Sequence, residues 1–176
     1  MSRHEEVRTE RLILRRWRAE DRAPFAVMNA DPRVTRYLGH PPLTVAESDA
    51  LVDRIEHRWA ERGLGQWAVE LRGKDPFIGF LGFASHHWHP DVLELGWRLR
   101  PDLWGRGLAT EGARAALSHG FGQLGLERVI SIIHRDNVAS RRVAERCGFR
   151  VWREETRQSA SDGTLLPIVV YEVEST

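Results

Sequence analysis

The 176-residue chain reads as an α/β protein built on a mixed sheet. Three observations predict this class. Strand-like runs alternate with helical periods, three of them follow one another as in an antiparallel meander after residue 65, and the order switches to helix, strand, helix, strand beyond Pro101. Element by element, Leu12, Ile13 and Leu14 lie within residues 10–18 and read as a first strand. Residues 24–29 make a short helix, and residues 31–42 are rich in turn formers. Thr44 with Glu47 three residues on is a capping box, which opens a helix running through Arg62 and ending at Gly63. Residues 66–71, 77–84 and 93–99 are short and strand-like, separated by Gly-Lys-Asp-Pro and by a His-Trp-His-Pro-Asp loop. Ala109, Ala113, Ala116, Leu117, Phe121 and Leu124 then fall on one stripe of a helix that starts near Gly107. Val129, Ile130, Ile132 and Ile133 form the β-branched run of a buried strand. Asn137 caps a further helix that turns Val143, Ala144 and Cys147 inward and stops at Gly148, and residues 149–156 and 165–173 make two last strands about a Ser-Asp-Gly turn.

Composition excludes several classes. The length suits one domain, 1–176, with room for a sizeable core, and 41% hydrophobic with 29% charged residues describes a globular chain. The apolar runs 77–84 and 165–171 fall short of the about 20 residues that span a bilayer, so no membrane partner is expected. The start, MSRHEEVRTE, lacks the apolar segment of a signal peptide, which makes the cytoplasm the expected compartment. A net charge of +1 argues against a nucleic-acid partner. Lys74 is the lone lysine among 26 basic residues, a skew towards arginine that suits bidentate anion contacts or merely a solvated surface. The single cysteine, Cys147, has no partner for a disulfide and no neighbour that would activate it as a nucleophile.

The segment that carries chemistry is residues 94–111, ELGWRLRPDLWGRGLATE. A strand ends, a glycine turn follows and a helix begins, so backbone N–H groups at the helix start have no intrahelical partner and attract phosphate. Gly105 and Gly107 would let a pyrophosphate approach closely, although Gly-x-Gly by itself is equally a tight turn. A dinucleotide fingerprint needs a third glycine where Thr110 stands, and Glu127 precedes the next strand rather than following it. No Gly-Lys-Ser/Thr triplet exists, which removes the Walker-type loop.

Taken with TERLILRRW, RVTRYLG and DNVASRRVAERCGFR, the segment LGWRLRPDLWGRGLATEG resembles the GNAT superfamily of acyl-CoA-dependent N-acyltransferases, in the branch of ribosomal-protein N-terminal acetyltransferases of the RimJ/RimL type. Trp104 stands where the wider family has Gln or Arg, while Gly107 and Ala109 match its phosphate loop. The resemblance implies a mostly antiparallel sheet with a splayed central parallel pair, residues 93–99 and 129–134, flanking helices, and acetyl-CoA in the gap. The backbone of Trp97, Arg98 and Leu99 would pair with the pantetheine arm, with an N–H near Leu99 polarising the thioester carbonyl. The pyrophosphate would rest on Trp104, Gly105, Arg106, Gly107, Leu108, Ala109 and Thr110, with Arg100 and Arg106 adding charge or remaining surface arginines. Asn137 would bond the pantetheine. Ser140 would protonate or stabilise the leaving thiolate, since the position of the tyrosine found in many relatives is Ala144.

A general base must take the amine proton. Glu94 is the first choice, at the start of the strand beside the acetyl group; His134 is the alternative, and by the resemblance Ser159 stands where some relatives offer a glutamate. His86, His87 and His89 lack the companions of a metal site, so no metal is expected, and with Trp88 they suit a mobile wall of the acceptor pocket. Tyr37 suits the opposite wall, joined by Trp17 and Trp59 unless those two are core. The expected activity is transfer of acetyl from acetyl-CoA to a primary amine by direct attack in a ternary complex. A protein N-terminal amine is the preferred acceptor, a polyamine or antibiotic amine the second, and a non-catalytic CoA-binding module the rival reading. The pattern is compatible with a homodimer.

Overall fold

A computed structural model describes residues 6–175; residues 1–5, part of the segment read as lacking a signal peptide, lie outside the described residues. Eight strands build one sheet: β1 (Val7–Arg8), β2 (Leu12–Arg15), β3 (Gln66–Leu71), β4 (Asp75–His86), β5 (His89–Leu99), β6 (Arg128–His134), β7 (Arg150–Gln158) and β8 (Leu165–Glu174). The spatial order is β1-β2-β3-β4-β5-β6-β8-β7. Every neighbouring pair is antiparallel except β5 and β6, which are parallel. The expected mixed, mostly antiparallel α/β architecture is therefore present.

Side-chain alternation gives this sheet two faces. On one, Phe80 and Phe25 of α1 (Arg22–Asn29) meet edge to face at 5.6 Å, and α3 (Val45–Arg62) packs beside α1. On the other lies α4 (Leu108–Gln123), whose Gly112 has no room for a Cβ against Leu81. The same face carries α5 (Val138–Arg146), whose Arg141 and Glu145 both bond the Tyr171 hydroxyl, each at 3.0 Å. The core between is continuous from Leu12 and Leu14 through Trp67, Leu81 and Leu95 to Val129 and Tyr171.

Local signals place most helix ends. Thr44 and Glu47 form the reciprocal cap of α3, Gly63 ends it with φ 63°, and Asn137 Oδ1 accepts the Ser140 N–H at 3.2 Å at the start of α5. Two readings need correction. The turn-rich stretch holds a short helix, α2 (Pro32–Thr35), because Asp31 accepts the Arg33 N–H and Pro32 suits the first helical position. The His-Trp-His-Pro-Asp segment is not a long loop: β4 and β5 run into it and close at His86 opposite His89, with the His86 and His87 rings stacked at 4.7 Å. Trp17 and Trp59 take the core placement the sequence allowed them, each donating its indole N–H to the Gln66 carbonyl.

One buried ion pair ties β2 to the turn that leads into α1. Arg15 grips Asp21 through two bonds of 2.8 and 2.9 Å, both side chains sealed from solvent, and reaches Glu70 at 3.1 Å. Among the described residues no helix is long and apolar enough to cross a membrane.

Candidate functional site

The parallel pairing of β5 and β6 lasts two residues only, Leu93 opposite Val129 and Glu94 opposite Ile130. Beyond it the strands part, because each keeps a ladder on its other edge: β5 with β4 as far as Leu99, and β6 with β8 as far as His134. The Arg100 N–H donates to the Ile78 carbonyl at 2.9 Å, so alternation turns the backbone groups of Trp97 and Leu99 into the gap and those of Arg98 towards β4. The Leu99 carbonyl accepts the Trp104 indole N–H at 2.7 Å, leaving the Leu99 N–H and both Trp97 groups to face the opening. Arg98, read as part of one backbone row, thus belongs to the opposite edge.

Glu94 sits at the vertex of the gap, in mid-strand rather than at the strand's start. Burial pushes its carboxyl up to about 7, against the opposing pull of the Ile132 N–H, which favours the charged form. A carboxyl titrating there holds and releases a proton near neutrality. Its cross-strand partners Ala84 and Ile130 place it on the face shared with α1. Ser140, in the first turn of α5, belongs to the other side of the sheet. The two residues expected to handle protons therefore flank the gap from opposite faces, and no described protein group bonds the Ser140 hydroxyl.

His134 projects on the Glu94 face beneath Tyr37, with ring centroids 5.3 Å apart. Its Nδ1 accepts the Asp136 N–H at 3.2 Å, which orients the ring. The Ser159 hydroxyl donates to the Gly39 carbonyl, as does that of Ser161 at 2.8 Å, which latches the loop after Tyr37 to the turn between β7 and β8. Tyr37 is thereby held over the gap. His89 bonds Glu155 at 3.3 Å, and burial, aided by the neighbouring His87 and His89, pushes His86 down to about 4. Among the described residues no three His, Cys, Asp or Glu side chains are arranged to hold a metal ion. Burial pushes the Cys147 thiol up to about 11, so it is not a thiolate at neutral pH.

At the mouth of the gap, Gly107 caps α4 in the left-handed region with φ 76°, a conformation that suits only glycine here. The N–H groups of Leu108, Ala109 and Thr110 then point out of the helix start without intrahelical partners. Residues the sequence reading missed crowd this end. Arg11 bonds Glu111 at 2.6 Å and the Arg106 carbonyl at 3.0 Å, and with Thr9, Gly107, Thr110, Arg114 and Arg146 it lines a cavity of about 550 Å³. The arginine excess was visible in the sequence; the pairing of residue 11 with residues 106–111 was not. Arg100 is engaged elsewhere: Asp75 at 2.7 Å and Asp102 at 2.9 Å hold its guanidinium and raise its pKa, which leaves it no free charge for a phosphate. Trp104, half exposed, lies just before the two glycines.

The sheet is thus opened at one parallel pair, with a donor-rich helix start at its mouth and with Glu94 and Ser140 on its two faces. Residues 11–150 match the family model described as an acetyltransferase (GNAT) domain, and the chain belongs to that family. It is 28% identical over 145 residues, 82% of either chain, to the uncharacterized N-acetyltransferase YoaA of Bacillus subtilis. An acetyltransferase (GNAT family) from Bacillus anthracis superposes with a TM-score of 0.82 at 24% identity, covering 96% of this chain and 98% of the other. A spermidine N-acetyltransferase from Vibrio cholerae, solved with CoA and spermine, superposes with a TM-score of 0.77 at 17% identity over 94% and 96% of the two chains. The protein is an acetyltransferase.

Proposed function

We propose that the chain moves an acetyl group from acetyl-CoA to a protein N-terminal amine, as in the RimJ/RimL branch, by direct attack while both substrates are bound. The observation that carries this reading is Glu94: a carboxyl near neutrality at the vertex of the gap, on the face shared with α1. The acceptor amine enters on that face and loses its proton to Glu94, directly or through one water. The neutral nitrogen attacks the thioester carbonyl, whose developing negative charge is met by the gap-facing N–H of Leu99. Collapse of the tetrahedral adduct breaks the carbon–sulfur bond; the nitrogen's surplus proton leaves through water, and Ser140 passes a proton to the departing thiolate and regains one from water, so that the amide and the free thiol of CoA are the products. Trp97 and the Asn137 amide hold the pantetheine arm, while residues 104–110 take the pyrophosphate. Asn137 uses only its oxygen as a cap, so its NH₂ group is left for this role.

The acceptor assignment draws on the sequence motifs, and the polyamine acceptor of the Vibrio cholerae relative makes small amines the second arm of its test. Thioester consumption is followed with acetyl-CoA against a panel of peptides bearing free amino termini and of small amines. Turnover on peptides with little on small amines is expected. The reverse order refutes the N-terminal acceptor, and CoA binding without consumption on any amine leaves a binding module instead of an enzyme of this mechanism.

A further inference from the structure

Three arginines sit at or beneath the surface of this sheet with very different company. Arg15 has Asp21 and Glu70, and Arg100 has Asp75 and Asp102. Among the described residues Arg98 has no carboxylate partner. Its Nη1 donates to Asn29 Oδ1 at 2.7 Å, its guanidinium lies 5.1 Å from the centre of the Phe80 ring, and Asn29 itself is held by Ser48 at 2.9 Å. Burial alone acts on it, bringing its pKa down to about 10, so it remains charged at neutral pH. Taking a charge out of water without a counter-charge is costly, and the protein supplies only a neutral amide and a ring face in return.

The position of this cation relative to Glu94 gives it a use. Glu94 and Arg98 are four residues apart on one strand and so project on the same face, roughly 13 Å apart at their Cα atoms. Between them stands Gly96, where an added Cβ would meet nothing within 4 Å. The strand therefore offers a clear strip with a proton acceptor at one end and an uncompensated guanidinium at the other. None of the sealed polar atoms among the described residues belongs to Arg98, so its Nε and Nη2 donors, which no described group accepts, keep some contact with solvent. We infer that Arg98 is a specificity residue for a carboxylate on the acceptor, so that the preferred amine carries an acidic group alongside the nitrogen that is acetylated. This rests on Glu94 marking the acceptor face. The carboxylate belongs either to an acidic side chain at the start of a peptide or to a free amino acid. Polycationic amines are disfavoured by the same charge.

Matched acceptors test it: peptides beginning with aspartate or asparagine, or with glutamate or glutamine at the second position, free amino acids against their amides, and spermidine. In the wild-type enzyme the carboxylate member of one pair is expected to exceed its uncharged mate in kcat/KM by roughly tenfold or more, and the pair that does so identifies the source. Arg98→Met should bring that ratio close to one, and Arg98→Lys should keep part of it. Calorimetry of the same pairs against the CoA-bound protein reads recognition without turnover. Carboxylate-dependent binding that Arg98→Met removes, with no acetyl transfer, supports this inference while sinking the catalytic reading. Equal turnover and equal binding within every pair, or a preference that survives in Arg98→Met, overturns it.

Discussion

Replacing Glu94 by glutamine separates proton chemistry from packing. The side chain keeps its size and its oxygen for the Ile132 N–H, but it no longer titrates. In the folded protein burial raises the carboxyl from an ordinary 4.5 to about 7, roughly 2.5 units. At 1.36 kcal/mol per unit this corresponds to about 3 kcal/mol. Because the folded pKa is the higher one, the favourable contribution is complete below pH 4.5 and is lost as pH rises through 7, where the native state must hold a charge that burial disfavours. Glu94→Gln should therefore match the wild type in stability near pH 4.5 and exceed it by about 3 kcal/mol at pH 8, a gain of about 6–12 °C in Tm for a domain of this length. Urea unfolding from pH 4.5 to 8.5 measures the difference. Profiles of kcat/KM with saturating acetyl-CoA follow the function: the acidic limb near pH 7 disappears and the rate rises only as the amine itself becomes neutral. A stability difference that does not change with pH refutes the raised pKa. A limb that persists in the glutamine variant removes Glu94 as the base.

Further substitutions test the rest of the site and its frame. Gly107→Glu forces a side chain into the left-handed position and sets a negative charge at the phosphate approach, so the rise in Tm produced by CoA should vanish while the protein remains folded by circular dichroism. Ser140→Ala should lower the single-turnover rate of acetyl transfer about tenfold to a hundredfold, with CoA affinity by calorimetry unchanged, because the contact matters chiefly as the thiolate departs. Asp21→Ala should cost about 3 kcal/mol in urea unfolding: it strands the buried Arg15 guanidinium, for which Glu70 is only a partial substitute.

What the sequence by itself determined is local. The capping box of Thr44 and Glu47, the stops at Gly63 and Gly148, the cap at Asn137 and the glycine turn before α4 act through hydrogen bonds and φ angles within a few residues, so residue type and spacing suffice to read them. The β-branched run of β6 was legible for the same reason, since a strand buried on both faces has little polar alternation. Tertiary structure decided what each charge does. Arg98 and Arg100 are two residues apart in one strand and its exit, yet one meets Asn29, 69 residues away, and the other Asp75, 25 residues away. The same holds for Arg11 against Glu111, Tyr37 over His134, and the Gly39 carbonyl with Ser159, 120 residues on. The free energy of a guanidinium or carboxyl depends on which groups surround it and how much water remains, and strand register and helix packing settle both. A single residue's neighbours along the chain carry no record of that environment.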